Sequence, residues 1–199
     1  MDTSIARCTA VALLCLAWAC GGAAEDADET ATAASVQDQF FAQLESMCGQ
    51  AFEGEATRVS GDGFEGRMVM HVRRCSPDEI QIPLHVGEDR SRTWIVTRQD
   101  TGLRLKHDHR HEDGSEDAVT QYGGDTRDNG TATTQAFPAD AFTAELLPEA
   151  ATNVWSLTVE PGERLTYHLT RHGEARATFT FDLSRTVEAP PAPWGYEGS

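Results

Sequence analysis

Between Met68 and Leu183 the apolar side chains recur at every second residue through segment after segment, and this alternation restricts the fold more than any other feature. Met68, Met70 and Val72 share one face, as do Ile80, Ile82, Leu84 and Val86, then Leu165, Tyr167 and Leu169, and finally Ala177, Phe179, Phe181 and Leu183. Successive side chains of a strand point to opposite faces, so each segment has an apolar side and a polar side. Sheets that are dry on one face and wet on the other are antiparallel. Turn residues divide the segments at Gly61-Asp62-Gly63, Ser76-Pro77-Asp78, Gly87 to Arg90, Asp100-Thr101-Gly102, Gly123-Gly124, Asn129-Gly130, Pro161-Gly162 and Gly173. Closure removes the exposed edges of such a sheet, so the pattern predicts an all-β fold: an antiparallel meander closing into a lipocalin-like barrel of about eight to ten strands.

Two stretches depart from the period of two. From Ser35 to Cys48, Val36, Phe40, Phe41, Leu44 and Met47 recur at three- and four-residue steps, with Ser35 as N-cap and Gly49 past the end, which predicts an N-terminal helix. A short inserted helix is expected after Pro138, from Asp140 to Leu147. After Arg185 come Pro190, Pro191 and Pro193; prolines cannot donate to a ladder, so residues 186–199 are expected to form an extended or disordered tail.

The N-terminus reads as an export address. Residues 1–19 hold one Arg7, an apolar run from Ala10 to Leu16 and the small Ala19, the layout of a signal peptide. Cys20-Gly21-Gly22 and the acidic, Ala- and Thr-rich stretch to Ala34 match a lipidated cysteine on a flexible tether, although Ala17 stands where a lipoprotein signal carries a branched aliphatic residue. A diacylated Cys20 would anchor the chain without a transmembrane helix. The expected organisation is therefore a signal peptide (1–19), a tether (20–34), a barrel domain with its helix (35–185) and a tail (186–199). The expected location is the periplasmic face of the envelope, with secretion as a soluble protein the alternative. Export also decides the cysteines: Cys8 and Cys15 leave with the signal and Cys20 carries lipid, so Cys48 and Cys75 remain as a pair in an oxidising compartment. They are expected to form a disulfide.

Charge excludes one class of partner. The 199 residues carry 32 acids against 16 bases, a formal charge of -16 that survives signal removal because one acid and one base leave together. Such a surface repels nucleic acid, and with Lys106 the single lysine there is no polybasic patch for anionic lipid.

The chemically unusual segment is residues 102–111, Gly-Leu-Arg-Leu-Lys-His-Asp-His-Arg-His. As a strand it sets Leu103, Leu105, His107, His109 and His111 on one face, and the leucines mark that face as inward. Three imidazoles would then line a cavity or its mouth. Histidines at i and i+2 lie about 7 Å apart at Cα, close enough to share a divalent metal if a third ligand is supplied, with Asp113 the leading candidate. Glu112, Glu116, Asp117 and Asp125 are further candidates, whereas parity turns His71, His85 and His168 outward unless Pro83 introduces a bulge at His85. The competing reading is a hydrogen-bonded polar ladder of His, Asp and Arg. Asp113, Ser115 and Asp117 resemble the opening of a calcium loop but lack its glycine and terminal acid, so a solvated turn is expected. Arg90 and Arg92 are expected to bridge nearby acids or clamp an anionic ligand. No Gly-x-Ser-x-Gly elbow, phosphate loop or His-Glu-x-x-His occurs.

The segments His85-Val-Gly-Glu-Asp-Arg-Ser-Arg-Thr-Trp94 and Gly102 to Ser115, with Tyr122-Gly-Gly-Asp-Thr126, resemble an uncharacterised family of exported proteobacterial proteins and lipoproteins. The resemblance implies export and carries no assigned catalytic or ligand residue. Three functional expectations follow: an envelope lipoprotein whose barrel binds a small apolar or amphipathic ligand; a divalent-metal protein or metal-assisted hydrolase built on His107 and His109; or a structural envelope component.

Overall fold

In a computed structural model the chain is described for Met1 and for residues 34–59 and 63–196. The signal peptide, Cys20 and the tether up to residue 33 lie outside the described residues, as do 60–62 and 197–199.

Eleven strands form one antiparallel sheet: β1 (Ala51–Val59), β2 (Met68–His71), β3 (Arg74–Cys75), β4 (Glu79–Val86), β5 (Asp89–Gln99), β6 (Gly102–His109), β7 (Tyr122–Asp125), β8 (Thr134–Pro138), β9 (Asn153–Glu160), β10 (Arg164–Arg171) and β11 (Glu174–Asp182). Ten of them follow one another as β7-β6-β5-β4-β2-β1-β11-β10-β9-β8, while the two-residue β3 pairs with β4. Since β1 pairs with β11, the first and last strands are neighbours and the meander wraps into a nearly closed barrel. The seam lies between β7 and β8, where a bridge joins Gly124 to Ala139 and Asp140 donates to the Gly123 carbonyl at 3.0 Å.

The expected parity is realised across the sheet. Ile82 pairs with Trp94 and Trp94 with His107, while Leu165 sits between Val159 and Phe181. These inward side chains make one continuous buried core.

Helix α1 (Val36–Glu45) is started by a capping box in which Ser35 and Asp38 exchange side-chain and backbone hydrogen bonds. Its Phe40, Phe41 and Leu44 are fully buried and close one end of the barrel. The short α2 (Ala141–Leu146), N-capped by Asp140, follows β8, and a 3-10 turn at Pro148–Ala150 leads into β9. Cys48 and Cys75 are bonded, tying the end of α1 to β3 across a separation of 27 residues. In the chain-entropy view a loop of this length stabilises by about 3.5 kcal/mol.

Residues 186–196 run as an extended strap over the outer face of the sheet. Val187 bridges Ala51, Arg90 donates to the Ala192 carbonyl at 3.2 Å, the Trp194 amide donates to the Arg90 carbonyl, and the Tyr196 hydroxyl donates to Asp108 at 3.0 Å. The prolines still refuse a full ladder. Isolated backbone bonds, the buried Pro193 and the half-buried Trp194 hold the segment instead.

Candidate functional site

The end of the barrel opposite α1 is open, and the inward-facing residues change character toward it. Near α1 the interior is packed with Phe40, Phe41, Leu44, Leu103, Leu105 and Phe137. Toward the mouth it becomes aromatic and then polar: Trp155, Tyr167, Phe179 and Tyr122 surround a cavity of about 390 Å³, with His109, Leu169 and Arg171 in its wall. A second hollow of about 200 Å³ shares Phe64, His109, Tyr122, Tyr167 and Phe179 with the first and reaches Arg92, Trp94 and His107. Phe64, from the connection between β1 and β2, packs on Phe179 with ring centroids 4.9 Å apart and roofs part of the opening. An equally large cleft elsewhere is walled by Glu53, Glu55, Glu163 and Asp182 with Arg164 and Arg185, and Phe181 is the one aromatic residue among its lining.

His107 is the hinge of the polar chemistry here. Its Nδ1 lies 3.1 Å from the Tyr122 carbonyl oxygen, which can only accept, so Nδ1 carries the proton. Nε2 is then the acceptor, and the Tyr167 hydroxyl donates to it at 3.0 Å. Burial, with His109 and Lys106 nearby, pushes the His107 pKa down to about 3, so the ring is neutral; burial raises Tyr167 well above its ordinary value. The His107 ring stacks on Tyr122 at 4.7 Å, and Trp94 stacks on Tyr167 at 4.6 Å. Both nitrogens of His107 are committed within the protein.

His109 sits one step nearer the mouth. Its Nε2 is 3.0 Å from the Tyr122 hydroxyl, and its pKa is lowered by burial and then by the Arg92 guanidinium beside it. Tyr122 is pushed up to about 12 by burial. The site is therefore an aromatic chamber with neutral imidazole and phenol groups inside and with Arg92, Arg171 and Arg176 along its wall.

Several sequence-based expectations are redistributed. His107 and His109 face inward as the parity required. His111 does not: β6 ends at His109, the turn at Asp113-Gly114 carries the chain outward, and His111 is exposed. Leu103 and Leu105 face inward but line neither hollow, because the residues near α1 leave no space beside them.

Asp113 is not brought to the histidine pair. Its exposed carboxylate accepts from the Ser115 amide at 2.9 Å and hydroxyl at 2.6 Å, which closes a turn. Among the described residues no group of three His, Cys, Asp or Glu is placed to hold a metal ion. With His107 fully hydrogen-bonded, the proposed set of His107, His109 and Asp113 does not form a metal centre.

The polar ladder exists on the opposite face of β6. Arg104 grips Asp125 through two bonds of 2.6 and 2.9 Å, Lys106 reaches Asp140 at 2.5 Å, and Asp108 accepts from Arg110, Gln121 and Tyr196. His71 and His85 do lie on the outer faces of β2 and β4, yet both are buried, and His85 lines a cavity with strap residues 188–191.

Sequence reasoning centred on the histidines passed over the aromatic wall. Tyr167 and Phe179 carried a readable inward parity, and Trp155 shares the parity of Leu157 and Val159. Phe64 and Tyr122 gave no such signal, because a loop and a four-residue strand place them.

A scan of family models and a search of curated proteins found no match to this chain. Among solved structures, two redesigned β-barrels align at a TM-score of 0.30 and 12% identity over 72% of this chain, covering 94% of the first and 98% of the second, mFAP1, which is described as bound to DFHBI. A likeness this distant bears on neither ligand nor activity.

Proposed function

We propose that this protein is an exported binding protein that holds a small, flat, amphipathic molecule in the open end of its barrel, tethered to the periplasmic face of the envelope through Cys20. The observation that carries the binding reading is the aromatic chamber of about 390 Å³, within the range of ligand sites and lined by Trp155, Tyr167, Phe179 and Tyr122. Aromatic faces offer large contact area at low entropic cost and favour stacked, planar partners. The Cys48–Cys75 bond supports an oxidising compartment, in keeping with the signal-like N-terminus and the motif resemblance to exported proteobacterial proteins.

Trp94 and Trp155 report on the chamber directly. Titrating the purified barrel with N-phenyl-1-naphthylamine, a neutral planar probe, is expected to quench tryptophan emission with one-to-one saturation and to raise probe fluorescence. Leu169→Trp, which fills the chamber, should abolish both while circular dichroism stays that of the parent. A natively folded protein that gives no saturable signal would overturn the reading and favour a purely structural envelope role.

A further inference from the structure

The lining of the two hollows holds more arginine than acid, the reverse of the chain as a whole. Acids outnumber bases two to one in the chain, yet the inward positions at the open end are Arg92 on β5, His109 on β6, Asn153 on β9 and Arg171 on β10. Register fixes this. Arg92 pairs with the inward Leu84 on one side and with His109 on the other, and Arg171 pairs with Asn153, two residues beyond the Leu169–Trp155 pair. Arg176 also lines the wall, and Glu149 is the one acid that does so among the described residues.

Two further details bear on how these cations are used. Arg171 donates through Nε to the neutral amide oxygen of Asn153 at 2.8 Å, which fixes the guanidinium without cancelling its charge. Arg92 shares one nitrogen with Asp89 at 2.5 Å and lies over the Phe64 ring at 4.9 Å, so it is held at the lip of the aromatic chamber. Planar guanidiniums held in this way are suited to bidentate capture of a carboxylate or sulfonate. The low dielectric of an aromatic wall strengthens the attraction relative to open solvent.

Resting on the binding reading above, we infer that the ligand is an organic anion: a flat apolar body that enters among Trp155, Tyr167 and Phe179, with a carboxylate or sulfonate that stays near the arginines of the wall, Arg171 beside the larger hollow and Arg92 beside the smaller one it adjoins. The two arginines set the ligand's orientation and its charge class. The strongly acidic exterior then acts against adventitious anions at a distance and leaves selection to the mouth.

A matched pair of probes tests this. 8-Anilinonaphthalene-1-sulfonate and N-phenyl-1-naphthylamine share one ring body and differ by the sulfonate. The anionic probe is expected to bind the folded protein at least ten-fold more tightly at low salt, and raising the salt to about 0.5 M should erode most of that advantage. Arg171→Gln and Arg92→Gln should each reduce the advantage several-fold, read as the ratio of the two probes' affinities within each variant. Equal affinity for the two probes, or an advantage unaffected by both substitutions, would refute the anion assignment and leave the binding reading standing. Failure of both probes to bind would refute the binding reading itself.

Discussion

The Tyr167 hydroxyl donates to His107 Nε2 at 3.0 Å in the middle of the barrel, which makes the most distinctive histidine of the chain a satisfied structural group. Removing the donor leaves a buried acceptor without a partner, which costs about 1–3 kcal/mol. Tyr167→Phe is therefore expected to lower the unfolding free energy by that amount, read as a lower urea midpoint with little change in slope. Nitrogen-15 chemical shifts should show His107 as the Nδ1-protonated neutral tautomer in the parent. Loss of that tautomer preference at unchanged stability would contradict the assigned bond.

The barrel is closed at the β7–β8 seam by backbone groups in direct approach, and glycine makes this possible. A Cβ on Gly124 would stand 1.8 Å from the Pro138 carbonyl oxygen, and one on Gly123 1.9 Å from that of Leu105. The Thr143 hydroxyl also bonds both the amide and the carbonyl of Gly123 at 2.7 Å. Gly124→Ala should destabilise by roughly 3 kcal/mol or more and raise amide exchange first at Asp140 and Ala139. Uniformly unchanged exchange would mean the seam is not where closure is decided.

The strap covers polar groups that the barrel alone would leave exposed. Asp108 is 1% exposed and takes Arg110, Gln121 and Tyr196 as partners, while Val69 and His85 lie under residues 188–191. Ending the chain at Arg185 is expected to cost roughly 2 kcal/mol, by exposing Val69 and by removing the Asp108–Tyr196 bond. It should leave ligand titrations unchanged, since the strap is on the outer face. A truncated protein as stable as the parent would show that the strap's contacts are energetically idle.

Acid should destabilise the fold through its histidines. Burial pushes the His85 pKa down to about 4, helped by His71 and Arg90 and opposed by Asp89; His107 is lowered to about 3. A histidine whose folded pKa is depressed binds fewer protons folded than unfolded, so stability is unaffected above about pH 6.5. It declines as pH falls from there toward 4 for His85 and 3 for His107, and levels off below. His85→Gln should flatten the upper part of this decline in urea midpoints measured from pH 7 to 4. A profile of the same slope in parent and variant would remove His85 from the account.

What the sequence determined by itself was the periodicity and everything that follows locally from it: antiparallel strands, the capped helix from Ser35, the short helix after Asp140, the Cys48–Cys75 pair and the inward parity of His107 and His109. These depend on neighbours in the chain, and side-chain alternation, capping and turn chemistry are all short-range. Only the tertiary structure decided where β6 ends and so which histidines enter. The same arrangement committed both His107 nitrogens to Tyr122 and Tyr167 and built the aromatic wall from five separate segments. It also brought Arg92 and Arg171, 79 positions apart in the chain, to the same open end. Pairing register and barrel closure are long-range relations, set by which strands meet, and the prolines of the tail could announce that a ladder was impossible without revealing that a folded surface was waiting for them.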